Sequence, residues 1–356
     1  MGFWSEYGLF LAQALTVVVA IIVVVGFIAA AGQKGRKEGH IEIKKLNDKI
    51  EDTAELFEEA LLTKDELKEK QKALKKEEKE KKKAEKAEAK KSADKESDKA
   101  EVRKKRVFVI DFDGDVNASA VSSMREEISA VLTSVEPCDE VVVRLESPGG
   151  VVHGYGLAAS QLDRIRKKDI PLTVCVDKVA ASGGYMMACL ANKIIAAPFA
   201  IVGSIGVVAQ IPNIHKLLKK NDIDIELHTA GEYKRTLTVI GENTDEGREK
   251  FKQDLQDTHD LFKSHVNQYR PELVMDKVAN GDIWYGQEAL NNHLVDQVMT
   301  SDEYLMQLAE EADVFEVSFE TKKTLQEKLG MAASMGITRS IDRVITKFLD
   351  ARTQIR

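Results

Sequence analysis

The chain has 356 residues, 43% of them apolar and 31% charged, with a formal net charge of −7. That length suits one large packed domain or two ordinary ones. The charge is uneven: residues 34–106 hold 25 Lys/Arg against 20 Asp/Glu, whereas residues 107–356 hold 27 against 38. An acidic folded part argues against nucleic acid as a partner.

Residues 7–33 contain no charged side chain, and residues 9–31 are almost all Val, Ile, Leu, Ala and Phe. At about 1.5 Å rise per residue, some 20 such residues cross a hydrocarbon layer of about 30 Å. The run Ala29-Ala30-Ala31-Gly32 has the look of a signal-peptide cleavage site. Against cleavage, no Lys or Arg precedes the apolar run, and the run exceeds the roughly 7–15 residues of a signal h-region. Residues 1–33 are therefore read as an uncleaved single-pass anchor in a lipid bilayer. Lys34, Arg36 and Lys37 follow it, and positive charge favours the cytoplasmic side.

Residues 34–105 read as a charged helical or disordered stalk. From residue 41 on this stretch has no Pro or Gly, and Ile43, Leu46, Ile50, Phe57, Ala60, Leu67 and Leu74 recur near a heptad register. Thr53, Lys64 and Gln71 interrupt the seam. Beyond Leu74 the Lys/Glu/Ala repeats cannot bury a face.

The composition changes at Arg106. Residues 107–112, 140–145, 171–176 and 194–196 read as buried strands. Residues 118–132, 155–167 and 182–192 read as helices. Alternating strands and helices with near-continuous apolar strands predict an α/β domain over residues 106–317 with a largely parallel sheet. The turn Ser147-Pro148-Gly149-Gly150 and the segment Ala180-Ala181-Ser182-Gly183-Gly184-Tyr185 follow successive strands, at the carboxyl ends where such sheets gather ligands. Residues 318–356 read as a tail with a helix-like stretch at 341–349.

Ser182 and Lys234, in Gly231-Glu232-Tyr233-Lys234-Arg235, suggest a serine nucleophile with a lysine base. A serine hydroxyl needs a base to take its proton, and a lysine serves only when neutral. Such a base needs a partly apolar pocket; Tyr233 and Leu237 are candidate walls, with Glu232 and Arg235 turned away. The amide of Gly183, at a helix start, and one from Gly149-Gly150 are candidate oxyanion donors. A helix N-cap is the competing reading of Ser182, and plain turn chemistry that of the glycine pair. His153 and His215 are rival bases that read better as surface or cap residues. Cys138, Cys175 and Cys189 sit in apolar runs and read as buried free thiols. No metal, nucleotide or dinucleotide fingerprint appears, so no cofactor is expected.

Leu145-Glu146-Ser147-Pro148-Gly149-Gly150, the Ser182 segment, Ile201-Val202-Gly203-Ser204-Ile205-Gly206-Val207, Gly231-Glu232-Tyr233-Lys234, Trp284-Tyr285-Gly286-Gln287-Glu288-Ala289 and Leu294-Val295-Asp296 together resemble the SppA (signal peptide peptidase A) family. With the anchor and stalk, the chain is most similar to the SohB-type inner-membrane serine peptidases of that family. The resemblance implies a ClpP/crotonase-like fold, with Ser182 as nucleophile, Lys234 as general base and Ser204 orienting the lysine. It also implies that the amides of Gly183 and of Gly150, or Gly149, form the oxyanion hole. Rings of subunits, pockets for small or apolar side chains, membrane-associated peptide or protein substrates and a place in the bacterial inner membrane follow from it as well. For the best-known members it sets the peptidase domain opposite to the side that Lys34, Arg36 and Lys37 favour. Asn291-Asn292-His293 stands where the family usually has a glycine, and Val151-Val152-His153-Gly154-Tyr155 departs from SppA proteins. A non-catalytic membrane scaffold and a crotonase-type acyl-CoA enzyme are the alternatives.

Overall fold

The computed structural model describes residue 16 and residues 39–63, 65–66 and 104–321. The expected anchor, most of the stalk and nearly all of the expected tail lie outside the described residues. Among the described residues no helix is long and apolar enough to cross a membrane. The chain divides into a unit of Met1–His40 with Glu320–Arg356 and a unit of Ile41–Phe319. The second unit carries everything that follows.

Its strands are β1 (Gly39–Lys45), β2 (Arg106–Asp113), β3 (Glu140–Glu146), β4 (Leu172–Val176), β5 (Val179–Ala181), β6 (Lys193–Ala196), β7 (Ile201–Gly203), β8 (Ile283–Tyr285), β9 (Gln297–Val298) and β10 (Asp313–Thr321). Its helices are α1 (Leu46–Leu61), α2 (Val121–Ser134), α3 (Val152–Arg166), α4 (Gly183–Ala188), α5 (His215–Lys220), α6 (Asp245–Tyr269), α7 (Met275–Val278), α8 (Gly286–Asn291) and α9 (Ser301–Glu311).

Seven strands form one sheet in the order β1-β10-β2-β3-β4-β6-β9. From β10 to β9 every neighbour is parallel. Strands β2, β3 and β4 are continuous apolar runs because both faces are covered. Phe108, Ile110 and Phe112 join the larger core with Met124, Ile128, Leu162 and Ile165 of α2 and α3. Val107 and Val109 point the other way, onto Leu305 of α9. This is the expected α/β architecture with a mostly parallel sheet.

The stalk reading needs one correction at its start. Residues 39–45 form an edge strand, not the first turns of a helix. Ile41 and Ile43 alternate with polar residues, the period of a strand. The next helix is locked to the folded unit by the buried Asn47. Its Nδ2 donates to the Ala309 and Ala312 carbonyls at 3.0 Å, and its Oδ1 accepts from the Val314 amide at 2.8 Å. The helix expected over 182–192 is also shorter, stopping at Ala188, and the chain turns there to enter β6.

A second sheet, β5-β7-β8, was not legible from the sequence. Its strands have three residues each, too few to show a period. It is joined to the main sheet by a bridge between Ser147, at the end of β3, and Ala180 of β5.

Candidate active site

Strands β5 and β7 run parallel, with Ala181 opposite Gly203. Their next residues, Ser182 and Ser204, therefore leave the two strands side by side. The Ser182 amide donates to the Gly203 carbonyl at 2.8 Å, and the Ser204 amide to the Asp282 carbonyl at 2.7 Å. Both serines hold positive φ, 51° and 50°. Non-glycine residues rarely adopt that backbone, and where they do the surrounding structure must over-determine it. Here it is imposed by strand pairing on one side and by α4, which starts at Gly183, on the other.

Ser182 occupies the N-cap position of α4 but makes no capping hydrogen bond with its side chain. A stabilising cap would show one, so the hydroxyl is left for another purpose. The Gly183 amide is among those at a helix start with no intrahelical acceptor. Glycine is required there, because a Cβ would come within 2.4 Å of the Tyr155 ring.

The turn after β3 closes over this corner. Gly149 has φ +87°, and a Cβ on it would meet the Ala181 carbonyl at 2.7 Å and the Gly183 nitrogen at 2.8 Å. Its own amide is already used, donating to Ser147 Oγ at 3.0 Å. The amide of Gly150 has no acceptor among the described residues. Of the two glycines named from the sequence, Gly150 is the one with a free donor.

Ser182, Gly183, Gly149, Gly150 and Ser204 all line one cavity of about 1070 Å³. Its walls are largely apolar, including Val152, Met186, Leu190 and Phe262. One end is polar. There Tyr269 Oη donates to Asp163 Oδ1 at 3.0 Å, and Lys167 Nζ lies 2.6 Å from Asp163 Oδ2. Burial works to raise the Asp163 carboxyl, but the hydrogen bonds from Lys167 and Tyr269 outweigh it and hold it below the usual carboxylate range. Burial, with the Asp163 hydrogen bond, pushes the Tyr269 phenol up to about 12.

Lys234 is not among the residues lining the cavity. It is exposed, on a long excursion over residues 206–244 between β7 and α6. Its neighbour Tyr233 is half exposed, with Lys250 Nζ 5.4 Å from the ring centroid. The rival bases His153 and His215 do not line the cavity either.

Two other histidines, unremarked in the sequence, do line it. His259 Nε2 lies 3.1 Å from the Ile205 carbonyl, and His265 Nε2 lies 3.0 Å from the Met186 carbonyl. Both sit on α6 and tie it to the segments after Ser204 and Ser182. The signal was present: His259, Phe262, Val266 and Tyr269 repeat at helical spacing in an otherwise charged helix.

Other motifs of the sequence turn out to be scaffold. A Cβ on Gly286 would meet the Ala197 carbonyl at 2.3 Å. Asp296 accepts from the Ile194 amide and from Arg270. Cys175 and Cys189 are buried free thiols, and burial pushes Cys175 up to about 12. Cys138 is the exception to the expected burial, because it falls in the exposed turn before β3.

The comparisons agree with this geometry. Residues 2–162 match the model described as peptidase family S49 N-terminal, and residues 164–315 the model described as peptidase family S49. The chain belongs to peptidase family S49. It is 49% identical over 344 residues to a probable protease SohB of Haemophilus influenzae, covering 96% of each chain. A probable protease SohB of Buchnera aphidicola from Acyrthosiphon pisum is 53% identical over 68% of this chain and 72% of its own. Among solved structures, a 1510-N membrane-bound stomatin-specific protease aligns at a TM-score of 0.41 and 13% identity, over 64% of this chain and 97% of that one. The chain is thus a peptidase of the SohB group, related to SppA.

Proposed function

We propose that this peptidase uses Ser182 as its nucleophile and Lys234 as its general base, on a ClpP/crotonase-like domain. The observation that carries the reading is the placement of an uncapped, strained Ser182 between two uncommitted amides, those of Gly183 and Gly150, at one cavity. Ser182 Oγ attacks the scissile carbonyl and its proton passes to the Lys234 amine. The two amides donate to the oxyanion that forms, where preorganised donors are worth most. The protonated lysine then gives its proton to the departing amine, and water releases the acyl group by the reverse path. Ser204, beside Ser182, orients the lysine. The apolar walls suit small or apolar substrate side chains.

Lys234 reaches the cavity on the excursion when subunits assemble. Val208, Leu217, Ile223, Leu227 and Tyr233 of that excursion are all exposed in the single chain, and a homo-oligomeric ring would bury them. Residues 7–33 hold the assembly in the bacterial inner membrane, near membrane-associated peptide and protein substrates.

The test uses the full chain in detergent, a serine-directed fluorophosphonate and a quenched fluorogenic peptide rich in Leu and Ala. Ser182→Ala should lose labelling and hydrolysis together, and Lys234→Ala should lose hydrolysis, both with unchanged melting. Ser204→Ala should lower kcat by about tenfold to a hundredfold, the worth of one hydrogen bond to a charged group. Full hydrolysis by Lys234→Ala would remove the lysine from the mechanism; full hydrolysis by Ser182→Ala would remove the serine.

A further inference from the structure

Behind the oxyanion turn lies a buried chain of hydroxyl groups that the reaction does not use directly. Ser147 and Tyr155 are fully buried. Tyr155 Oη donates to the Asp115 carbonyl at 2.8 Å and lies 2.5 Å from Ser147 Oγ. A phenol has one proton to give, and the Asp115 carbonyl can only accept. With that proton spent, Ser147 must be the donor to Tyr155 Oη. Ser147 Oγ in turn accepts from the Gly149 amide. The bonds therefore run one way: Gly149 N–H to Ser147 Oγ–H to Tyr155 Oη–H to the Asp115 carbonyl. Burial raises the Tyr155 phenol, so the proton that sets this direction stays in place at physiological pH.

The same two residues are fixed on every other side. The Ser147 amide donates to the Val179 carbonyl, and the Ser147 carbonyl accepts from the Ala181 amide, one residue before the nucleophile. The Tyr155 ring packs against Gly183 and stands edge-on to Phe112, 6.4 Å between centroids. The relay thus ties the loop before α2, the glycine turn and the nucleophile strand into one unit.

We propose that Tyr155 is a positioning residue: acting through Ser147, it commits the Gly149 amide inward so that the adjoining Gly150 amide alone faces the oxyanion. Without the phenol proton sink, Ser147 loses its only buried acceptor and can turn, which frees the Gly149–Gly150 peptide to rotate. The proposal rests on Ser182 being the nucleophile, and it extends that reading to the residue that selects the oxyanion donor.

The experiment measures kcat and KM on the same fluorogenic peptide with full-length Tyr155→Phe, Ser147→Ala and the double variant, per site titrated to completion with fluorophosphonate. Tyr155→Phe keeps the ring that packs on Gly183 and removes only the hydroxyl. It should lower kcat about tenfold to a hundredfold, somewhat less than deleting an oxyanion donor outright, with KM within about twofold of wild type. Ser147→Ala should lose at least as much, and the double variant should be no worse than Ser147→Ala, because the two act in series. A wild-type kcat in Tyr155→Phe, or a double-variant loss equal to the product of the singles, would overturn the relay. If Ser147→Ala does not fold, the kcat-against-KM split of Tyr155→Phe decides alone. Ser182→Ala run alongside separates the two readings: activity there sinks the nucleophile, while an inactive Ser182→Ala with an unaffected Tyr155→Phe sinks only the relay.

Discussion

The corner around Ser182 and the excursion carrying Lys234 are built on opposite terms. The corner has paired strands on both sides, a buried hydroxyl relay beneath it and glycines with no room for a methyl group. The excursion has one six-residue helix, α5, and exposed apolar side chains along its length. The nucleophile and its oxyanion donors are preorganised by a single chain; the proposed base is not. Preorganisation is most useful for dipoles that must not reorient as charge develops. A base can instead arrive with assembly, which would leave an isolated subunit inert.

Glycine substitutions in the two regions sharpen that contrast most. Gly183→Ala drives a methyl group into the buried Tyr155 ring, which has nowhere to move. It should cost about 1–3 kcal/mol by overpacking and lower kcat at least about a hundredfold by displacing an oxyanion amide. Gly231→Ala, three residues before Lys234, meets nothing within 4 Å, although φ is +96°. The exposed loop can absorb that strain, so melting should be unchanged while hydrolysis falls. Thermal melts and kinetics of the pair would break the comparison if Gly231→Ala were the more destabilising.

Leu217→Glu asks the intermediate question. Leu217 is exposed in the single chain and makes no part of the cavity. If the excursion is an assembly surface, the charge should shrink the particle seen by sedimentation in detergent and cut hydrolysis about tenfold, the effect of a desolvated interfacial charge of roughly 1.4 kcal/mol or more. Subunit melting should not move. An intact particle with intact activity would leave the excursion without that role.

The same division explains what could be read from the sequence. Strands β2, β3, β4 and β6 are legible because burial on both faces makes them unbroken apolar runs. The Ser182 and glycine segments were legible because their small residues answer to close approaches of the backbone that leave no space for a larger side chain. Strand β1 was hidden inside a stretch whose Lys, Glu and Leu content favours helix, and only Asn47 and its partners on the β10 side pull it into the sheet. The three-residue strands that set Ser182 beside Ser204 were too short to carry a pattern. Lys234 was legible as a motif and not as a position, since a loop has no periodicity from which to place a side chain. Tyr155 was noted only as part of a departure from the family, because a hydroxyl relay is a tertiary fact.

The smallest effect concerns the polar end of the cavity, where the corner's rigidity meets solvent. The Asp163 carboxyl is held low in the folded state by Lys167 and Tyr269 despite its burial. The unfolded chain therefore binds that proton more readily, and stability falls as pH drops through the carboxylate range. The contribution is present above about pH 4, the ordinary carboxylate value, and is lost below it. Lys167 is largely exposed, so solvent screening keeps the pair under about 1 kcal/mol. Asp163→Asn should melt a few degrees lower than wild type at pH 7, about 2–4 °C per kcal/mol for a domain of this size. The gap should close toward pH 3, where the wild-type carboxyl has also lost its charge. A gap that persists unchanged from pH 7 to pH 3 would mean that the substituted amide loses packing or hydrogen bonding rather than charge, and that the polar end of the cavity is held by shape alone.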